Sequence, residues 1–443
     1  MRRAIALLEV HRTRQALPLR IASGWTFGIL VVTFAGLFVL RRPDCVTNPQ
    51  FWAEDGGIIF REQLLNGWLT ALATPYRGYF PLLARLVAGP ASIFPVSFTP
   101  LIYNLFGIAI DSVCSALFFL PRYRRFMESD LLRLVLCVLA MGAFQTTEMV
   151  GTLINSMWYV VLAGILLMLL PPQVDARSRL VVASGWCLLG LVIGAGAPIL
   201  VVGIPIAAYH LVRNFWRGGL ISLAVALGAL AQTLFAFFSS RGLTLAHPGA
   251  KGVAVAMVGA FAYKVMLQAI IGAGAAFKLA TAKRLGYVVS ALVVAALWMI
   301  CLIALSRGSR WNVLVPIYLI FTSMSIPFIG RDEAQLFINL TTLDMRGERY
   351  FFLASCMFAY LVAYTVDRAV PYRGDVIKAL ALLVIFLGGL RGNFHADRFP
   401  DLHWQMNAKC IDAWVRDRRS GNPTPAVSVP INPPGWRIDL PTL

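Results

Sequence analysis

The feature that most constrains this chain is a recurrence of apolar stretches about 20 residues long, the length an α-helix needs to cross the hydrocarbon core of a bilayer. They follow one another from residue 21 to residue 390, with few charges inside them. Only 14% of the 443 residues are charged and 58% are hydrophobic, and the mean hydropathy is +0.72. No water-soluble domain could keep that much apolar surface out of contact with other molecules, so soluble multidomain folds are excluded. The reading is an all-α polytopic membrane protein.

The formal charge of +18 would suggest nucleic acid in a soluble protein. Here the basic residues punctuate the apolar runs and form no patch, so no nucleic acid partner is expected. They report topology instead. Arg2, Arg3, Arg12, Arg14 and Arg20 precede the first apolar run without a small-residue cleavage site, which predicts an uncleaved cytoplasmic segment over 1–21. A first span over 22–40 leads to an outer loop over 41–99. A second span near 100–120 returns to Arg122, Arg124, Arg125 and Arg133, as the positive-inside tendency requires.

Further spans are predicted over 131–147, 153–170, 219–238, 286–305, 311–329, 350–366 and 376–390. The run 180–212 is too long for one span and contains Gly194-Ala195-Gly196-Ala197-Pro198, which predicts a break into two. The total is about 11 transmembrane helices in a domain over 22–390. The segment 252–277 carries Lys264 and Gln268 one helical turn apart and is assigned to a re-entrant or outer-surface helix. Residues 391–443 are polar and proline-rich and are expected to form a small outer cap on a multi-pass protein. The seven cysteines show no zinc spacing. Cys45 and Cys410 both fall outside the membrane and would be the pair to form a disulfide in an oxidising compartment.

Chemistry concentrates in the outer loops. Phe51-Trp52-Ala53-Glu54-Asp55-Gly56-Gly57 sets two adjacent carboxylates beside Trp52, an arrangement that suits a general base or, equally, a helix start with solvated acids. Pro75-Tyr76-Arg77-Gly78-Tyr79-Phe80 and Arg85 suit an anionic, ring-bearing ligand or an interfacial anchor. Glu148, Asn155 and Trp158 flank the turn into the fourth span. Arg346 and the pair Arg349-Tyr350 precede a late span, at the level of a lipid phosphate. Asp111 lies near the middle of the second span, where a carboxylate implies a partner or a functional cavity.

Together these landmarks resemble the GT-C-fold membrane glycosyltransferases, whose long first outer loop carries a paired acidic motif, here Glu54-Asp55. The Trp-Ala-Glu-Asp-Gly string, the Pro-Tyr-Arg-Gly-Tyr string, the Glu148, Asn155, Trp158 triplet and Arg349-Tyr350 are similar to bacterial cell-envelope members. The resemblance spans the topology from residue 1 to about 370. It departs where many members carry a larger soluble carboxy-terminal domain, which leaves acceptor recognition unassigned.

The resemblance implies transfer of a sugar from a polyprenyl-phosphate-linked donor to an envelope glycan or lipid acceptor on the extracytoplasmic face, with inversion. Asp55 is ranked first as the base and Glu54 second. Arg349, Tyr350, Arg77, Tyr76, Arg85, Arg346, Glu148, Asn155 and Trp52 form the donor-phosphate and substrate set. Neither cofactor nor metal is assigned. Asp55→Asn is expected to abolish transfer while leaving abundance intact. Two rivals share this topology: a transporter or flippase of lipid-linked saccharides, and a non-catalytic polysaccharide assembly protein.

Overall fold

The computed structural model describes residues 20–76, 78–144, 148–170, 179–214, 219–239, 257–281, 283–330, 348–370 and 374–442. The chain is mostly helical and membrane-embedded. Five helices among the described residues are long and apolar enough to cross a bilayer: Gly24–Arg41, Val96–Phe119, Gly219–Phe238, Val288–Arg307 and Arg349–Ala369. Each falls on a run that hydropathy alone marks as a span.

Other expected spans differ in length. The helices Asp130–Gly142 and Met157–Leu169 have 13 residues each, about 20 Å at 1.5 Å per residue and short of the ~30 Å hydrocarbon core. The last expected span is divided into Asp375–Ile385 and Leu387–Asn393. Where Gly194 to Pro198 predicts a break, the helix pair Val181–Gly196 and Pro198–Arg213 bends by 119°. Helix Arg310–Gly330 covers the run 311–329.

By its contacts the chain forms two compact units. The first comprises residues 1–30, 116–144 and 244–394; the second comprises 31–115, 145–243 and 395–443.

In the first unit, the apolar helix Met257–Ile271 contains Lys264 and Gln268, both buried. It ends at Gly272 (φ +84°), where a Cβ would stand 2.9 Å from the Gly388 carbonyl oxygen. The small residues of Leu387–Asn393 allow this close backbone crossing, as they do between helices in lipid. Asn393 serves the exposed backbone groups there: its amide donates to the Ala143 and Gln268 carbonyls, and its oxygen accepts from Ala273 N–H at 2.9 Å. Asp130 gathers Arg124, Arg133 and the Ala22 N–H.

In the second unit, Arg179–Gly196 packs on Gly219–Ser239 through glycines. A Cβ at Gly194 or Gly228 would lie 2.1 or 2.5 Å from the facing backbone oxygen of Val225 or Leu191. Gln232 on the second helix hydrogen-bonds both the N–H and the carbonyl of Phe80, each at 3.0 Å. That docks the Phe80 backbone on the helix.

The carboxy-terminal segment contains helix Trp404–Ser420 and an antiparallel hairpin, β1 (Val427–Ile431) with β2 (Trp436–Leu440), in register Val429 with Ile438. Val429, Ile431, Ile438 and Leu440 face inward and alternate with exposed residues, the period-2 pattern of a half-buried sheet. The expected cap is therefore partly β. Its inward face joins Phe51, Phe60, Tyr103, Leu153, Trp404 and Trp414 in one buried cluster that fastens the tail to the 41–99 loop. Cys45 and Cys410 are both free thiols, the first buried and the second exposed, so the candidate disulfide is not formed.

Candidate functional site

The acidic pair stands where the tail meets the loop. Trp52 bridges to Asn432 in the hairpin turn, with Asn432 N–H donating to the Phe51 carbonyl at 3.2 Å and Ala53 N–H donating back to the Asn432 carbonyl. Ala53 is then turned into the left-handed region (φ +23°), a conformation costing an L-residue about 1–3 kcal/mol and held here by its surroundings. The chain enters a π-helical segment, Asp55–Phe60, immediately afterwards. The two glycines following the acids let the hairpin lie against this segment, since a Cβ on Gly56 would meet Ile431 at 2.8 Å and one on Gly57 would meet the Trp436 ring at 3.1 Å.

Consecutive helical residues point about 100° apart, so the two acids face different surroundings. Asp55 turns inward and is 1% exposed. Its two carboxylate oxygens accept one backbone N–H each, from Leu153 at 2.9 Å and Ile154 at 2.8 Å. Those are unpaired donors at the start of the Ile154–Ser156 turn that opens helix Met157–Leu169. Asp55 thus caps a helix 98 residues away in sequence. Burial pushes its carboxyl up to about 7 against the opposing pull of the two N–H donors, and the neighbouring Glu54 charge adds to the rise. Glu54 is half-buried and makes no hydrogen bond among the described residues. With both Asp55 oxygens engaged and shielded, Glu54 is the member of the pair whose carboxylate is uncommitted.

Asn155 belongs to the same construction. Its amide donates to the Glu148 carbonyl at 2.7 Å and to Thr152 Oγ1 at 3.0 Å, while Thr152 Oγ1 donates to the Glu148 carbonyl at 2.7 Å. These bonds tie the turn 148–156 that presents the Leu153 and Ile154 N–H groups. Arg42 reinforces it by donating to the Gly151 carbonyl at 3.1 Å.

The Arg42 guanidinium also lies over the Phe399 ring, 3.9 Å from its centroid, and Trp52 stacks on that ring at 4.8 Å. Trp52 and Asn155 thus build the site's walls. Asp111 is fully buried, and the groups acting on it are Ser156, Arg41 and Arg42. The partner that the sequence left unnamed is thus supplied by Ser156 and the two arginines that close the first span.

The remaining candidates divide. Arg85 is buried and donates to Glu62 Oε2 at 2.5 Å, joining helix Leu82–Ala91 to helix Arg61–Asn66. That ion pair removes it from the phosphate-binding set, because a guanidinium without access to solvent or lipid cannot receive a ligand. Tyr76 pairs with Tyr79 through reciprocal backbone bonds at 2.7 and 3.0 Å across Gly78 (φ +83°). Arg349 opens helix Phe352–Ala369 in the first unit, with its guanidinium 5.4 Å from the Tyr350 ring centroid. Lys264 of the same unit lies 5.4 Å over the Phe351 ring. Lys264 was not among the residues the sequence singled out for phosphate. Arg77 and Arg346 lie outside the described residues.

No group of three His, Cys, Asp or Glu side chains among the described residues is placed to hold a metal ion. The fold and site define a helical membrane protein with a tail-clamped acidic pair, Asp55 buried and Glu54 half-buried. No family model, curated protein or solved structure matches this chain.

Proposed function

We propose that this protein is a membrane glycosyltransferase that moves a sugar from a polyprenyl-phosphate donor to an envelope glycan or lipid acceptor at the extracytoplasmic face of the cytoplasmic membrane. The reading takes about 11 membrane-embedded helical segments of GT-C type, with the amino terminus inside and the tail outside. The observation that carries it is the division of labour within the acidic pair: Asp55 is anchored by two backbone N–H groups, and this fixes an adjacent, half-exposed Glu54. A carboxylate projecting from a backbone anchored in this way is placed for proton abstraction from a poorly acidic hydroxyl.

In the proposed step, the acceptor oxygen gives its proton to Glu54 and bonds to the anomeric carbon. The bond from that carbon to the phosphate oxygen breaks, and its electron pair leaves on the phosphate. Single displacement inverts the anomeric centre. The departing phosphate calls for cationic donors, whose charge-assisted hydrogen bonds are strongest at low dielectric.

Cells depleted of the protein should lose one sugar substitution from an envelope glycan and accumulate the lipid-linked sugar in the outer leaflet. Accumulation confined to the inner leaflet would instead favour a transporter of lipid-linked saccharides. Unchanged glycan composition would remove the transferase reading. Orientation is checked separately, with Cys410→Ser as the background because that thiol is exposed. A cysteine replacing Leu69, which is 74% exposed, should react with a membrane-impermeant maleimide in intact cells. One replacing the exposed Glu128 should react only after permeabilisation. The reverse pattern would place the acidic loop inside the cell and make the proposed chemistry impossible.

A further inference from the structure

A cavity of about 750 Å³ opens in the second unit beside the acidic helix, walled by helix Arg61–Asn66, the segment 92–99 and the tail helix Trp404–Ser420. Its volume is within the range of ligand-binding clefts, roughly 300–1,000 Å³. Phe60, the last residue of the π-helical segment that begins at Asp55, is part of its wall.

We infer that this cavity binds the acceptor as a hydroxyl-rich oligosaccharide, an assignment that rests on the transferase reading and names its second substrate. Three observations converge. Trp68 is 37% exposed at the cavity, and its indole N–H is already committed to the Arg85 carbonyl at 2.8 Å. Its ring is held flat over Gly89, where a Cβ would fall 2.3 Å from it. The fixed ring therefore offers an apolar face, the surface on which the C–H face of a pyranose stacks.

The polar lining holds both donors and acceptors. Asp412 and Arg419 lie two turns apart on the tail helix, about 10 Å along its axis, and Arg419 is exposed with no hydrogen bond or ion pair among the described residues. Gln63, 9% exposed, also lines the cavity, and its Oε1 has no hydrogen-bond partner. Such a buried acceptor is costly unless a ligand or water completes it. Arg418 is differently employed. It donates to the Leu64 and Leu65 carbonyls at 2.8 and 3.0 Å and so holds the tail helix against the loop. A mixed set of carboxylate, amide and guanidinium beside one aromatic face matches hydroxyl pairs on a sugar ring better than it matches a lipid chain.

Titration calorimetry of the full-length protein in nanodiscs, with maltotetraose and tetragalacturonate as probes, tests this. Both should bind saturably, the anionic probe more tightly. Trp68→Ala should weaken both by about tenfold, equivalent to about 1.4 kcal/mol. Arg419→Glu, a surface change that leaves the packing intact, should erase the preference for tetragalacturonate. Saturable binding without any sugar transfer would leave the cavity's role standing and remove the transferase reading. Absence of saturation with both probes overturns the inference. So does binding unaltered by both variants, or a lipid adduct in native mass spectra that neither probe displaces.

Discussion

Asp55→Ala is expected to remove most of the folded protein from the membrane fraction. The substitution deletes the acceptor of two backbone N–H groups, those of Leu153 and Ile154, inside a region where Asp55 is 1% exposed. Each buried donor left unpaired costs about 1–3 kcal/mol, set against a total stability of about 5–15 kcal/mol for a typical domain. Asp55→Asn should be only partly better. Its amide has one acceptor oxygen, so one N–H loses its partner and the amide's own donors point at another donor. The sequence-based expectation that Asp55→Asn leaves abundance intact is thus withdrawn.

The same carboxyl gives a pH signature. Burial raises it from an ordinary carboxylate value to about 7, so the folded state holds a proton that the unfolded chain releases near pH 4. The stability contributed by that proton is complete below the unfolded value and is lost as pH rises through about 7, with a slope of at most about 1.4 kcal/mol per pH unit. Thermal melts in detergent should therefore show a midpoint that falls between pH 5 and pH 8 in the wild type, and a smaller fall in Asp55→Asn. Wild-type abundance and melting in Asp55→Ala would show that the N–H groups find other partners and that the cap is dispensable.

The second large effect is expected at Glu54. Glu54→Gln keeps the shape of the side chain and removes its capacity to take a proton. Glu54 makes no hydrogen bond among the described residues, so abundance and melting should match wild type. A positioned general base contributes about 10²–10⁴-fold to rate, and transfer should fall by that order. Glu54→Asp retains the charge but withdraws it by one methylene. It should recover part of the rate, because an error of about 1 Å in placing a catalytic group can cost about 10²-fold. An Asp55 variant and a Glu54 variant are thereby separable: the first loses protein, the second loses turnover per molecule.

The long helices were legible because an apolar run of about 20 residues has few alternatives in a bilayer. The break at Ala197 was equally legible, since Gly194, Gly196 and Pro198 weaken the helix together. The turn between the spans expected over 131–147 and 153–170 was legible, but its extent over 148–156 and the 13-residue helices Asp130–Gly142 and Met157–Leu169 beside it were not. That turn is made by side chains of Thr152 and Asn155 bonding backbone carbonyls, a local geometry with no periodic signal. The hairpin did carry a signal, the alternation in Val-Ser-Val-Pro-Ile and Trp-Arg-Ile-Asp-Leu around Asn-Pro-Pro-Gly, which the proline content obscured.

The acidic pair was visible as a motif, but the roles within it were not. Which of two neighbours faces inward depends on what packs beside them, and here that is a turn some hundred residues later and a hairpin near residue 430. Arg85 illustrates the same limit. Its type suits phosphate, and only its proximity to Glu62 shows that its charge is already neutralised.

The most direct measurement replaces the chromosomal copy with Glu54→Gln and compares envelope glycan composition at matched membrane abundance of the protein. Loss of one sugar substitution, with full abundance and an unshifted melting curve, is the predicted result. Wild-type glycan from a fully abundant Glu54→Gln protein would contradict the assignment of this carboxylate as the base.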